Sequence, residues 1–237
     1  MNNNEGVSII IPTLREAQNV PELVKRIHDS VSYHHKLEVI LMDDNSQDGI
    51  QDVVTNLREH YPWLYLIVRK EKKGLSAAVL EGFEHARYPI LVVMDADLSH
   101  PPEKIQDMLM ALSDPQVDFV VGSRYVQGGS SDEEWSLTRK IISRSSAMLA
   151  WPLLGSAVRD PLSGFFAVRA SLLRSGGKLN PIGWKIGLEI MVKCRCKNIK
   201  EAPIHFSNRA KGKSKLNVKI ALDYVRHVQK LMVYKFL

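Results

Sequence analysis

At 237 residues, 45% hydrophobic and 24% charged, the chain has an ordinary globular composition and the length to bury a substantial core. No run approaches the roughly 18–20 apolar residues of a spanning helix, and "MNNNEG" at the N-terminus has neither the basic nor the apolar region of a secretion signal. The formal charge of +6 suits anionic partners without selecting one, and Cys194 and Cys196, a C-x-C that makes a poor zinc site, read as reduced packing residues of a cytosolic protein.

"VSIIIP" reads as a buried strand halted by Pro12. From Pro21 to about Ser32 the pattern is helical, with Leu23, Val24 and Ile27 on one side. "LEVILMDD" is a second strand ending in Asp43 and Asp44, and "SQDGIQDVVTNLREHY" a helix with Ile50, Val53, Val54 and Leu57 apolar. "LYLIVR" gives a third strand, "LSAAVLEGFEHARY" a third helix and "PILVVMDAD" a fourth strand closing on Asp95 and Asp97. Paired prolines open the helix "PPEKIQDMLMALS", and "DFVVGSR" is a fifth strand. This alternation predicts an α/β fold whose mostly parallel central sheet carries helices on both faces. Ligands of such sheets sit at the carboxyl ends of the strands, where Asp43, Asp44, Asp95 and Asp97 fall. From about Val126 the chain is less regular, but no repeat or low-complexity linker divides it, so residues 1–237 read as one domain.

Neither common phosphate cradle is present. The turn after the first strand, "PTLREAQN", has no glycine, and no G-x-x-x-x-G-K-[ST] occurs. Phosphate charge must be met another way, and a metal ion is the natural candidate. On an extended segment Asp95 and Asp97 point to one side. Together and unpaired they would repel, and Mg²⁺ or Mn²⁺, which favours a few carboxylates plus substrate phosphates, removes that cost. The other reading makes Asp97 a cap for the following turn and has Asp95 meet backbone N–H groups. Around Asp44, Ser46 or Asp48 caps a helix, Asp44 can also accept hydrogen bonds from a base or ribose, and Glu16 adds a third acid at the same edge.

"IIIPTLRE", "VILMDDNSQDG", "VVMDADLSHPPE", "VVGSRY", "DPLSGFFAVR" and "NRAKGKSKL" follow one another as in the family 2 glycosyltransferases. Over about residues 6 to 236 the chain most resembles their polyprenyl-phosphate branch, the dolichol-phosphate mannosyltransferases. The resemblance implies a GT-A type nucleotide-sugar-binding fold, with a nucleotide half over about 6–125, an acceptor half over about 126–216 and an amphipathic helix over 217–237. It implies inverting, metal-dependent transfer of mannose from GDP-mannose to a polyprenyl phosphate at the cytosolic membrane face. UDP-glucose or another nucleotide sugar on the same scaffold is the alternative, and a catalytically silent membrane-recruited subunit a further one. Carried over by position, Pro12, Thr13, Glu16, Asp44, Asp95, Ala96 and Asp97 line the nucleotide pocket. Asp95 and Asp97 hold Mg²⁺ or Mn²⁺, with Ser99 where relatives place a glutamine ligand. Arg124, Arg209 and Lys215 meet phosphates, and Asp160, Ser163 and Gly164 serve the acceptor, with Asp97, Arg124 and Asp160 as the catalytic set. "TLRE" departs from the family's "TYNE", and Ser76 stands where relatives carry glycine.

A phosphate monoester near neutrality is already a competent nucleophile, so no general base is required. His100 is read as shaping the turn, and Glu189, on an apparent helix, is read as structural if paired with a nearby Arg. The basic loop "RAKGKSKL" lacks the aromatics or recognition helix of a nucleic-acid contact, so no nucleic-acid partner is expected. "LTRKIISRSSAMLAW", with Leu137, Ile141, Met148 and Leu149 at helical spacing, basic Arg139, Lys140 and Arg144, and flanking Trp135 and Trp151, is either an interfacial helix or a core helix. The last stretch repeats the pattern with Ile220, Tyr224, Val228 and Leu231 on one stripe. A peripheral membrane location, with a possible anchoring partner subunit, is the expectation.

Overall fold

Uninterrupted apolar runs form the middle of the sheet in the computed structural model, which describes residues 6–31, 36–70, 74–132, 145–155, 158–207 and 218–237. Strands β1 (Val7–Thr13) and β2 (Leu37–Asp43) bury almost every residue, as strands covered on both faces do. Beside them lie β3 (Leu64–Val68), β4 (Ile90–Val93) and β5 (Phe119–Ser123). The second half of the chain adds β7 (Phe166–Arg169) and β8 (Ile199–Pro203), which the strand reading of the sequence did not include. The seven-stranded order is β3-β2-β1-β4-β7-β5-β8, parallel except for β7, which runs antiparallel to both of its neighbours. Two short strands, β6 (Ser130–Ser131) and β9 (His205–Phe206), pair separately.

Helical periodicity decides which residues cover each face. α1 (Val20–Val31) turns Val20, Leu23, Val24, Ile27 and Val31 inward. With α2 (Ile50–Arg58) and α4 (Ile105–Leu112) it covers one face of the sheet, while α3 (Leu75–His85) lies on the other. Short helices α5 (Trp151–Leu154) and α6 (Ala170–Ser175) precede α7 (Ile186–Lys193), which joins α3 on its face, and α8 (Val218–Phe236) ends the chain. Tyr224, Val228 and Leu231 of the C-terminal stripe pack against Leu188 and Val192 of α7 and Leu153 of α5. These three positions therefore face protein, and α8 exposes Leu222, Val225, Val233 and Phe236 elsewhere. Ala147 and Ala150 are buried while Met148, Leu149 and Trp151 are exposed, so the described part of the 137–151 stretch has both a core and a solvent side. Trp135, Leu137, Arg139, Lys140, Ile141 and Arg144 lie outside the described residues, as does the side chain of Ile220. No helix among the described residues is long and apolar enough to cross a membrane.

Glu189 is fully buried on α7 and, among the described residues, bonds no arginine. It accepts from the Asn180 N–H at 2.6 Å, Lys193 Nζ at 2.7 Å and His227 Nε2 of α8 at 2.8 Å. The role is structural: a polar tie between the last helix and the sheet-covering one. Burial alone would raise the carboxyl pKa, but the bonds from His227, Lys193 and the Asn180 N–H outweigh it and hold the group down at about 2. A folded-state pKa below the ordinary 4.5 means the stabilisation is complete above that value and is lost as pH falls towards 2. Urea midpoints measured against pH are expected to drop across that window in the parent and less steeply in Glu189→Gln, which starts lower at neutrality; equal slopes would contradict the tie.

Gly82 lets α3 lie close to the sheet. A Cβ there would sit 2.4 Å from Ile10 Cγ2 and 3.2 Å from Met42 Cγ, both in buried residues of β1 and β2. Gly82→Val is expected to cost about 1–3 kcal/mol by overpacking, read as a lower urea midpoint at unchanged slope; an unshifted midpoint would show that the helix simply rides up.

Candidate active site

The carboxyl ends of β1, β2 and β4 open on a cleft of about 380 Å³. It brings together Pro12, Thr13, Glu16, Asp44, Asp95, Ala96 and Asp97, the residues the sequence assigned to a nucleotide pocket, with Leu14, Gly74, Leu75, Ala78 and Trp184, which it did not.

Each acid at this edge is held differently. Asp43 is fully buried and accepts from the Ser46 N–H at 2.8 Å, the Ser46 hydroxyl and Thr13 Oγ1 at 3.2 Å. It locks the turn after β2, where Asn45 and Gln47 take positive φ. Asp48 accepts from the Ala17 N–H at 3.0 Å and the Ile50 N–H at 3.3 Å, so it takes up the first N–H of α2 and ties down the loop after β1, while the cap position itself is Gly49, which makes no side-chain bond. Asp44 pairs with buried Arg69, which follows β3 and also donates through Nε to Glu81 at 2.8 Å. Its other oxygen accepts from the Gly74 N–H at 2.6 Å. Gly74 has φ 123°, a conformation side chains resist, and it delivers that N–H from the cleft wall. A carboxylate offers about four acceptor positions, so Asp44 keeps capacity for a hydroxyl or base N–H.

The paired aspartates depart from expectation. β4 ends at Val93, and Asp95 to Leu98 form a turn in which Leu98 has φ 63°. Turn chemistry, not strand alternation, therefore orients them. Asp97 Oδ1 accepts the Ser99 N–H at 3.1 Å and the Ser99 hydroxyl at 2.5 Å, while Asp97 also lines the cleft. Capping and facing the cleft are thus one arrangement. Ser99 is itself fully buried and directs its hydroxyl at Asp97. Asp95, whose side chain is 30% exposed, has its N–H received by His100 Nδ1 at 3.0 Å. His100 stacks on Phe165, and burial above all lowers its pKa. It shapes the turn as a neutral acceptor.

Two carboxylates of this kind suit a hard cation that takes one or two protein oxygens and fills its remaining positions from phosphates and water. Among the described residues no three His, Cys, Asp or Glu side chains form a cage that would hold a metal without such help.

Beyond the aspartates, β7 starts where β4 ends, with Phe166 opposite Val93. The preceding residues therefore arrive at the same edge. Asp160, fully buried, binds Arg124 through two 2.8 Å bonds to its guanidinium and accepts the Arg124 N–H at 3.0 Å. Burial opposes the charge on Arg124, but the bonds it donates to Asp160 keep its pKa above the ordinary value. Asp160 and Arg124 thus occupy each other. A Cβ on Gly164 would lie 3.5 Å from His100 Cε1 and 3.7 Å from Asp95 Oδ1, both ordinary contacts, so Gly164 lies against the turn of the paired aspartates. Ser163 turns its hydroxyl to the Phe165 N–H at 3.2 Å. Arg209 and Lys215 lie outside the described residues.

Sequence reasoning missed Arg69, Trp184 and Lys185. Arg69 was findable, because it ends a strand at the edge where Asp44 needed a partner. Trp184 and Lys185 carry no local signal. Their segment is placed partly by Ser76, whose hydroxyl donates to the Gly183 carbonyl at 2.6 Å.

Residues 8–177 match the family model described as Glycosyl transferase family 2. A dolichol-phosphate mannosyltransferase of Pyrococcus furiosus is 41% identical over 97% of this chain, which spans 64% of that protein. A protein of the same name from Mycosarcoma maydis is 39% identical over 97% of this chain and 80% of its own length. A mannosyltransferase from Pyrobaculum calidifontis, solved with GDP-Man and Mn²⁺, superposes with TM-score 0.68 at 21% identity, over 98% of this chain and 64% of that one. The likeness identifies the fold as GT-A.

Asp160→Ala would leave Arg124 buried without its counter-ion. The expected loss is about 3–5 kcal/mol in urea unfolding, with the Arg124→Ala/Asp160→Ala double variant losing less than the two single losses added; strict additivity would mean the pair does not act as a unit.

Proposed function

Because the chain belongs to glycosyl transferase family 2, we propose that it transfers mannose from GDP-mannose to a polyprenyl phosphate of dolichyl type, with inversion at the anomeric carbon, at the cytosolic face of a membrane. The observation that carries the reading is the meeting of three acidic strand ends, with Pro12 and Thr13, in one cleft. The names of curated relatives at 41% and 39% identity support the sugar and the lipid acceptor, and a solved mannosyltransferase of the same fold binds GDP-Man with Mn²⁺.

In this reading the donor's nucleoside lies along Pro12, Thr13 and Glu16, with a hydroxyl or base N–H on Asp44. Mg²⁺ or Mn²⁺ would be held by Asp95 and Asp97, the latter aimed by Ser99, and would supply neutralising charge to the departing diphosphate. The acceptor is a phosphate monoester, whose second pKa is about 6 in comparable phosphoamino acids, so it attacks without a protein base. His100 is consistent with that, since its Nδ1 is engaged by the Asp95 N–H. Arg124, fixed by Asp160, borders the acceptor side, and Ser163 and Gly164 form its backbone wall. Arg209 and Lys215 complete the phosphate contacts from the basic loop. Exposed Met148, Leu149 and Trp151, with the outer side of α8, offer apolar contact to the bilayer that holds the acceptor, alone or with an anchoring subunit.

Incubation with Mn²⁺ or Mg²⁺, a short polyprenyl phosphate and a panel of nucleotide sugars is expected to yield lipid product from GDP-mannose. Product from UDP-glucose alone would change the donor, and none at all with nucleotide binding intact would favour a silent subunit. Asp97→Ala should lower kcat by about 10²–10³-fold or more; an undiminished rate would overturn the metal-assisted reading.

A further inference from the structure

Lys185 has no part in the roles described so far. It precedes α7, next to Trp184 of the cleft wall. Its amine donates to a neutral acceptor, the Leu162 carbonyl, at 2.9 Å, and among the described residues no carboxylate forms an ion pair with it. Leu162 belongs to the run from Asp160 to β7 that borders Asp95. Arg124, Asp160 and Asp95 are the charges that act on the amine. Through Leu162 it is tied to the segment that carries Asp160, the partner of Arg124, at one end and Gly164, the neighbour of Asp95, at the other.

Charge balance gives this position its meaning. Arg124 commits its planar fork to Asp160, so that pair is close to neutral and has little net charge to offer a phosphate dianion. An ammonium has three donors, and one is used. The side chain is half-buried, and desolvation of the amine without a counter-ion brings its pKa down to about 8, with Arg124 adding to the fall, yet the group stays largely charged at neutrality. An incoming anion would supply the missing partner.

We propose that Lys185 is a ligand of the acceptor's phosphate, receiving the attacking monoester on its spare N–H donors between Asp95 and the Arg124–Asp160 pair. This assignment rests on the function proposed above. It also gives a reason for the Leu162 bond, which points the amine along the acceptor segment instead of into solvent.

The test uses Lys185→Met and Lys185→Arg in the full chain with Mn²⁺, GDP-mannose and a short polyprenyl phosphate, after circular dichroism has shown both to be folded. Lys185→Met is expected to raise the acceptor KM about tenfold or more while the donor KM stays within twofold, and Lys185→Arg to recover most of the loss. A merely structural lysine would depress kcat or thermal stability without favouring one substrate. An acceptor KM within twofold of the parent, or equal rises for both substrates, would overturn the assignment. Calorimetric binding of the same lipid phosphate to protein loaded with Mn²⁺ and GDP separates this failure from that of the functional reading. If the parent binds the lipid tenfold more tightly than Lys185→Met but makes no product, the lysine's role stands and the transfer reaction falls. Equal binding by both would remove the lysine's role whatever the turnover.

Discussion

Burying carboxylates beyond the ends of hydrophobic strands is tolerable only if each finds its own compensation, and the site is arranged around that constraint. Asp43 is satisfied by a hydroxyl pair and an N–H, and its whole output is a rigid turn. Asp44 is charge-paired with Arg69, which leaves it anchored yet still facing the cleft. Asp97 is steadied by Ser99 from behind. The acids differ less in chemistry than in what stands at their backs, and that separates scaffold from working surface.

The same logic orders the neighbouring stretch ahead of β7. Asp160 is held by Arg124 in front and by Glu201, which accepts its N–H at 2.9 Å and that of Arg159 at 2.8 Å. A buried ion pair adds little net stability, but it fixes geometry, because either partner left alone is costly. With Arg124 and Asp160 committed to each other, the amine of Lys185, bonded only to a neutral carbonyl among the described residues, is the less conspicuous charge in the neighbourhood.

Much of this was legible in the sequence because it was local. Unbroken runs such as "VSIII" and "LEVILM" mark strands covered on both faces, and acids just past them mark the edge where ligands bind. The turn holding Asp95 and Asp97 was misread as strand, since nothing in "VVMDADLS" announces that pairing stops at Val93; the Ser99 and His100 bonds that bend the chain join side chains to backbone two and five residues apart. Placement of β7 was invisible for a stronger reason. "FFAVR" looks like any short apolar run, and its insertion between β4 and β5 depends on partners more than forty residues away. Trp184 and Lys185 inherit that obscurity, because a loop reaches the cleft only once the strands and helices around it are docked.

The bonds between Arg124 and Asp160 join positions 36 residues apart. They work as a clasp at the neck of the long excursion between β5 and the approach to β7. Closing a loop costs entropy that grows only slowly with its length. With the neck clasped, the intervening stretch could lengthen, shorten or change its apolar character while the two sheet-anchored ends kept their spacing. The scaffold thereby uncouples a stretch that is free to vary from sheet-borne positions that are not.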